Sequence, residues 1–463
     1  MAAVIDAGSF RDPRGHVYIK AGRIFRTVTH KGSDDYSQVK ATGLMEKLVA
    51  SGQLVAFNDV DKDVHGFDQP GIALLLEHPR IPFVSYPYEW GFQQLKSAAL
   101  LQLDIYLEAL RHSVTLSDAS AYNIQFIGAR PVFIDHLAFR PYRNGEFWTA
   151  HRQFCEQFLN PLLLRAKLGV DHNAWYRGAL EGISTRDLNN LLPLRKKLSW
   201  NVFSQVTLQA HFQKASLEKS ARTAIPTNAG LPKLSFERLL ISLRNWIESL
   251  HALDSEKTVW ADYADDNSYN DRARLFKRGF IKSFTAELQP KVMWDLGCNT
   301  GDYSAVALSA GAEYVVGFDF DRTAVDKAFM RANDEQMAFL PLYLDAANPA
   351  PDQGWSQLER KGVGSRANAD ALLALAFVHH LAIGKNVPLP AIVAWLLSLA
   401  PDGIVEFVPK SDPMVQELLR LREDIFDEYD LDHFVSLIRE KAEITRLEQI
   451  QDSDRHLIQY RQH

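Results

Sequence analysis

The stretch Asp295-Leu-Gly-Cys-Asn-Thr-Gly301 constrains this chain more than any other part of it. A short apolar run, Lys291 to Trp294, leads into it, and a helix-like stretch begins near Tyr303. A second apolar run follows, Tyr314-Val-Val-Gly-Phe-Asp319. Strand, glycine-bearing turn, helix and a second strand ending in a carboxylate make one nucleotide-binding βαβ unit. The glycines let the backbone approach a ligand closely, and the terminal acid can accept two ribose hydroxyl protons.

The alternation continues on both sides of this unit. Strands are expected at 291–296, 314–319, 339–344, 371–377 and 403–408, with helices at 303–310, 322–333, 354–360 and 388–399 between them. Such alternation predicts a parallel α/β sheet with crossover helices. Upstream the pattern differs. Gly15 to Val28 alternates around an Ala21-Gly22 turn, a hairpin signal, and 36–50 carries apolar residues at helical spacing. A long helix is expected over 93–112, two short strands at 124–127 and 131–134, and helix from 147 to about 215. Ser, Thr, Ala, Asn, Gly and two prolines then crowd together, which reads as a linker over 216–233. The expected organisation is therefore an α+β domain over 1–215, with a β-rich lobe to about 90 and a helical lobe after it. An α/β domain over 234–463 opens with a helical lid.

The chain has 463 residues and a formal net charge of −6, so no global basic field draws it to nucleic acid or to anionic lipid. It holds two cysteines, Cys155 and Cys298, too few for a disulfide framework or a zinc cluster and in keeping with a reducing compartment. No basic region followed by an apolar core opens the sequence, and the most apolar stretch, 369–383, is too short to span a bilayer. The expectation is a cytoplasmic protein with no membrane partner and no motif for base readout.

The glycine turn departs from both phosphate-cradling patterns. Gly-x-x-x-x-Gly-Lys-Ser/Thr is absent, and Asn299 stands where Gly-x-Gly-x-x-Gly needs its middle glycine. Asp295 before the first glycine would repel a pyrophosphate. Near a cationic ligand the same acid helps, by holding the turn or the ammonium group of an amino-acid moiety.

These residues resemble the first motif of the class I S-adenosylmethionine-dependent methyltransferases. The resemblance runs from about Trp260 to His463 and implies a Rossmann-like, mostly parallel seven-stranded sheet. It implies S-adenosylmethionine as cofactor, held by the turn with Asp295, Gly297, Asn299 and Gly301. Asp319 would bind the ribose diol, Phe320 would flank the adenine, and Asp345 would contact the adenine amino group. Each acid also has a plainer reading, Asp319 as a helix cap and Asp345 as a turn residue. The aromatic segment 260–270 resembles the part that often closes over the cofactor, which makes Tyr263 and Tyr269 lid candidates. The expected fourth strand runs into His379-His380, on the edge that faces the transferred methyl in that family. Either histidine could take a proton from an oxygen or nitrogen nucleophile; capping and core packing are the alternatives.

A second constellation lies upstream: Asp118-Ala-Ser-Ala-Tyr-Asn123, then Pro131-Val-Phe-Ile-Asp135. It resembles the catalytic loop and metal-binding segment of the protein-kinase-like fold, especially its aminoglycoside-phosphotransferase branch. That resemblance implies ATP and magnesium, with Asp118 as base and Asn123 and Asp135 on the metal. Departures are large. No glycine loop precedes the hairpin, Arg26 stands in for the phosphate-binding lysine, and His136-Leu137 follows Asp135. A degenerate fold used for binding is the plainer reading, with Asp118 and Asn123 ordering their loop.

Together these readings predict a methyltransferase acting on an oxygen or nitrogen of a small molecule or protein side chain, its substrate recruited or shaped by a kinase-like domain. The rivals are an ATP-binding phosphotransferase or nucleotide sensor with an accessory methyltransferase domain, and a non-catalytic scaffold.

Overall fold

The computed structural model describes residues 3–67, 69–146, 148–207, 232–253, 271–420 and 422–463. The expected linker over 216–233 lies almost wholly outside the described residues, and so do Tyr263 and Tyr269.

The chain opens with β1 (Val4–Ile5), β2 (Val17–Lys20), β3 (Arg23–Thr29), β4 (Asn58–Val60) and β5 (Ile72–His78). They form an antiparallel sheet in the order β1-β2-β3-β5-β4. The β2–β3 hairpin closes at Ala21 and Gly22, with φ of 50° and 78°, the left-handed pair a two-residue turn matched to strand twist requires. The expected helix over 36–50 is two, His30–Ala41 and Leu44–Ala50, broken where Gly43 adopts a φ of 73°. The long helix Phe92–Arg111 buries Leu95, Ala98, Ala99 and Leu103 along one face. Beyond it β6 (Val114–Leu116) pairs with β9 (Phe139–Pro141), and β7 (Ile124–Ile127) with β8 (Arg130–Phe133). The stretch expected to be helical from 147 is a series of short helices. A left-handed Gly169 ends Asn160–Leu168, and Pro193 stands before Leu194–Lys197.

The C-terminal half holds β10 (Val292–Leu296), β11 (Tyr314–Asp319), β12 (Phe339–Tyr343), β13 (Ala371–Ala374), β14 (Asp402–Phe407), β15 (Ala442–Gln449) and β16 (His456–Gln462). These make the mostly parallel seven-stranded sheet expected, in the order β12-β11-β10-β13-β14-β16-β15. β10 to β14 run parallel, and β16 is antiparallel to both neighbours. From β10 the chain adds β11 and β12 on one side, then returns to add β13 and β14 on the other. That reversal opens a crevice beyond the carboxyl ends of β10 and β13, where open α/β sheets bind ligands.

Two expected elements of this half differ. The helix over 354–360 is only the single turn Trp355–Gln357, because Ser356 stands at a φ of 53° and cannot continue a helix. The strand over 371–377 stops at Ala374. Ala376 turns left-handed at 48°, and its N–H points to the Glu406 carboxylate (2.9 Å) instead of to a ladder partner.

The two halves share one continuous core. Phe83 packs edge-on against Trp294 of β10 and Phe318 of β11, and Phe126 of β7 packs on Phe329. Gly128 donates its N–H to the Tyr314 hydroxyl (2.9 Å), and Asp326 accepts from Gln93 N–H (2.9 Å). Arg366 forms a buried, doubly hydrogen-bonded ion pair with Glu89. The helix Lys233–Glu248, expected to open the C-terminal unit, packs on Phe92–Arg111. Its buried face of Phe236, Leu240, Leu243 and Ile247 follows helical spacing. Arg244 pairs with Asp104 at 2.5 Å.

Candidate functional site

β10 ends at Leu296, and the next five residues turn the chain into the helix Asp302–Ser309. Two glycines make this turn possible. Gly297 has a φ of 78°, and Gly301, at 83°, lies where an added Cβ would stand 2.5 Å from the Phe339 ring. Asn299 occupies the left-handed region at 48°, which asparagine tolerates better than most side chains. Its backbone N–H donates to Oδ2 of Asp319 (2.8 Å), and Asp321 N–H donates to Oδ1 (2.8 Å). Turn and acid are thus one hydrogen-bonded unit.

A cavity of about 470 Å³ opens over this unit, within the range of small-ligand sites. Of the residues expected to hold a cofactor, Gly297, Asn299, Asp319, Phe320 and Asp345 line it. Asp295 and Gly301 do not. Asp295 is buried beneath the turn, where it accepts a hydrogen bond from the Ser304 hydroxyl (2.6 Å). Burial raises its carboxyl to about 7, and raises that of Asp319 to about 6 against the pull of backbone donors at Asp321, Asn299 and Phe320. Asp345 also accepts from Ala347 N–H (3.1 Å), so its turn role is present alongside its place on the cavity wall. The Asn299 side-chain oxygen is buried without a hydrogen-bond partner.

The two histidines part company. Neither is on a strand edge; both lie in the first turn of the helix Val378–Lys385, entered after the kink at Ala376. His380 lines the cavity, whereas His379 is buried behind it, its ring 4.1 Å from that of His380. Burial lowers both imidazoles, His380 to about 4 and His379 well below the usual range, with His380 adding to the second effect. At neutral pH the His380 ring is therefore uncharged.

Sequence reasoning missed an ionic floor to this cavity. Lys277, from the helix Asp271–Leu288, is buried, lines the cavity and pairs with Glu406 at 2.6 Å. The same carboxylate accepts from Ala376 N–H and from Arg455 (3.4 Å), and Arg455 pairs with Asp412 at 2.6 Å. One charged residue in the apolar run Gly403-Ile-Val-Glu406-Phe-Val408 was the signal that could have found it. Arg274 and Arg278 on the same helix also line the cavity.

In the N-terminal half Asp118, Asn123 and Asp135 do come together. Asn123 donates to Asp118 (3.0 Å), while Asp135 pairs with Arg26 (2.6 Å) and accepts from Leu137 N–H (3.1 Å). Burial and the neighbouring Asp135 raise the Asp118 carboxyl well above the usual range. Among the described residues no three His, Cys, Asp or Glu side chains converge as metal ligands would.

No protein-family model matches the chain. It is 46% identical over 452 residues to the nodulation protein NoeA of Rhizobium meliloti (strain 1021), covering 97% of this chain and 94% of that protein. Solved structures similar to part of it include magnesium protoporphyrin IX methyltransferase (ChlM) from Synechocystis PCC 6803 with bound SAH. That match has 18% identity and a TM-score of 0.32, and covers 45% of this chain and all of the other. The N-methyltransferase NodS from Bradyrhizobium japonicum WM9 matches at 10% identity and a TM-score of 0.32, covering 43% of this chain and 98% of its own.

Proposed function

The chain belongs to the family of the nodulation protein NoeA, and we propose that it is an S-adenosylmethionine-dependent methyltransferase acting on an oxygen or nitrogen nucleophile. One observation carries this reading: the Asp319 carboxylate, tied to the glycine turn through Asn299 N–H, lines a cavity at the switch point of the sheet. The electrostatics favour a cationic nucleoside over a dinucleotide or a nucleoside triphosphate. Asp295, Asp302, Asp319 and Asp321 surround the turn, and Arg331, the cation paired there, is committed to Asp302 at 2.6 Å. A pyrophosphate would meet carboxylates where it needs donors.

The residues present suit the cofactor. Asp319 would accept the ribose hydroxyls, Phe320 and Asp345 would contact the adenine, and the Asn299 side-chain oxygen has an acceptor to spare. When bound, S-adenosylmethionine supplies a methyl group on a sulfonium, open to in-line displacement. The protein's part is mainly positioning. His380 holds a neutral imidazole at the cavity wall, where it would take the proton that the acceptor loses.

The N-terminal half is read as a kinase-like fold that recruits or shapes the acceptor. The ion pair between Arg26 and Asp135 favours this over phosphotransfer, because it occupies the carboxylate that magnesium would need. Calorimetry with S-adenosylhomocysteine and with ATP-magnesium tests both statements. Cofactor binding that Asp319→Ala abolishes supports the methyltransferase. Binding of ATP-magnesium alone would favour the phosphotransferase reading, and binding of neither a scaffold.

A further inference from the structure

Charges of both signs line the cavity, Lys385 and Asp302 (paired with Arg331) among them. Asp319 and Asp321 follow β11 and Asp345 follows β12, on one side of the switch point. Each is already engaged by backbone: Asp319 as above, Asp321 by Thr323 N–H (2.8 Å) and Asp345 by Ala347 N–H. Arg274, Lys277 and Arg278 come from the helix Asp271–Leu288, and Lys277 reaches Glu406 at the end of β14, on the other side. His380 and the kinked segment at Ala376 follow β13 on that same side.

Lys277 is neutralised by Glu406. Arg274 and Arg278 are exposed, lie four residues apart on one helix face, and make no ion pair or side-chain hydrogen bond among the described residues. Like charges at this spacing repel. Tyr303, on whose hydroxyl both guanidiniums act together with Asp302 and Glu406, lines the same cavity. S-adenosylmethionine carries a single carboxylate beside its sulfonium and ammonium, enough to pair with one guanidinium and leave the other uncompensated. An anionic second substrate would compensate it, and guanidinium geometry suits carboxylate and phosphate.

We propose that Arg274 and Arg278 form a binding site for a carboxylate or phosphate group of the methyl acceptor, so that the enzyme acts on an acidic substrate. This rests on the methyltransferase reading above.

The test uses the full chain saturated with S-adenosylhomocysteine, with benzoate and phenyl phosphate as anionic probes and benzamide as the neutral one. The wild type should bind an anionic probe at least about tenfold more tightly than benzamide, and the double variant Arg274→Ala/Arg278→Ala should lose that preference. Arg274→Glu/Arg278→Glu should reverse it in favour of benzamidine. Equal binding of benzoate and benzamide by the wild type, no anion binding, or an undiminished preference in the Ala variant would each overturn the proposal. So would a fall of about tenfold in S-adenosylhomocysteine affinity with 5′-methylthioadenosine affinity unchanged, since the pair would then read the cofactor's own carboxylate. Failure of the wild type to bind S-adenosylhomocysteine would instead overturn the methyltransferase reading.

Discussion

Asn299 and Asp319 are joined by a 2.8 Å hydrogen bond from the backbone N–H of the first to the carboxylate of the second. The bond links the turn after β10 to the end of β11, so the acid is aimed before any ligand arrives. Removing the acid should therefore damage both the ribose contact and the turn. Asp319→Ala is expected to weaken S-adenosylhomocysteine binding by about a hundredfold or more, the loss of charge-assisted bonds worth about 1.5–3 kcal/mol each. Titration calorimetry reads this directly, and an affinity within about tenfold of wild type would remove Asp319 from the cofactor site.

Two carboxyls, one buried and one partly buried, give the site a pH signature. Asp295 and Asp319 have folded pKa values raised to about 7 and about 6. A carboxyl raised in this way binds extra protons when folded; its contribution to stability is complete below about pH 4 and is lost as pH rises through the folded pKa. The buried histidines act in the opposite sense below about pH 6.5, so the diagnostic quantity is a difference between variants. Asp295→Asn keeps the partner of Ser304 and cannot ionise. Its melting temperature relative to wild type should rise between about pH 5 and about pH 8. A constant difference would mean that Asp295 is not protonated in the fold. Cofactor affinity should move the other way, strengthening as Asp319 ionises near pH 6.

His380 and His379 are neighbours in sequence with different places in the fold. His380→Ala should leave S-adenosylhomocysteine affinity unchanged and lower kcat by about a hundredfold or more, the usual size of a positioned base. His379→Leu exchanges a buried imidazole without hydrogen-bond partners for an apolar side chain and should retain most of kcat. Equal losses in the two variants would show that the pair matters only for packing around the helix Val378–Lys385.

The Glu89–Arg366 ion pair crosses from one half to the other with both side chains buried. Either single truncation strands a charge, and Glu89→Ala or Arg366→Ala should cost about 3–5 kcal/mol. Glu89→Leu/Arg366→Met, which removes both charges and fills the space, should cost less than either single change. Urea denaturation of the wild type, the two alanine variants and Glu89→Ala/Arg366→Ala gives the coupling energy. Additive losses would mean that the pair does not hold the halves together.

The sequence alone determined the turn, the acid after the next strand and the alternation of the C-terminal half. These are local patterns: one βαβ unit carries its glycines, strand ends and carboxylate within about 25 residues, and backbone conformation dictates the residue types. The constellation of Asp118, Asn123 and Asp135 was legible for the same reason, since one hairpin brings the three together. What each can do was not, because Asp135 meets Arg26 only when β3 lies over that hairpin. Only tertiary structure decided that His380 faces the cavity and His379 does not, since that depends on how a kink at Ala376 rotates the helix that follows. The Lys277–Glu406 pair likewise joins side chains 129 residues apart. The fusion of the halves through Phe83, Trp294 and Phe318 is of the same kind: burial of aromatic faces is nondirectional, so the sequence marks them as core without saying whose. Long-range packing turned a legible nucleotide turn into a cavity lined by carboxylates and by a pair of exposed arginines.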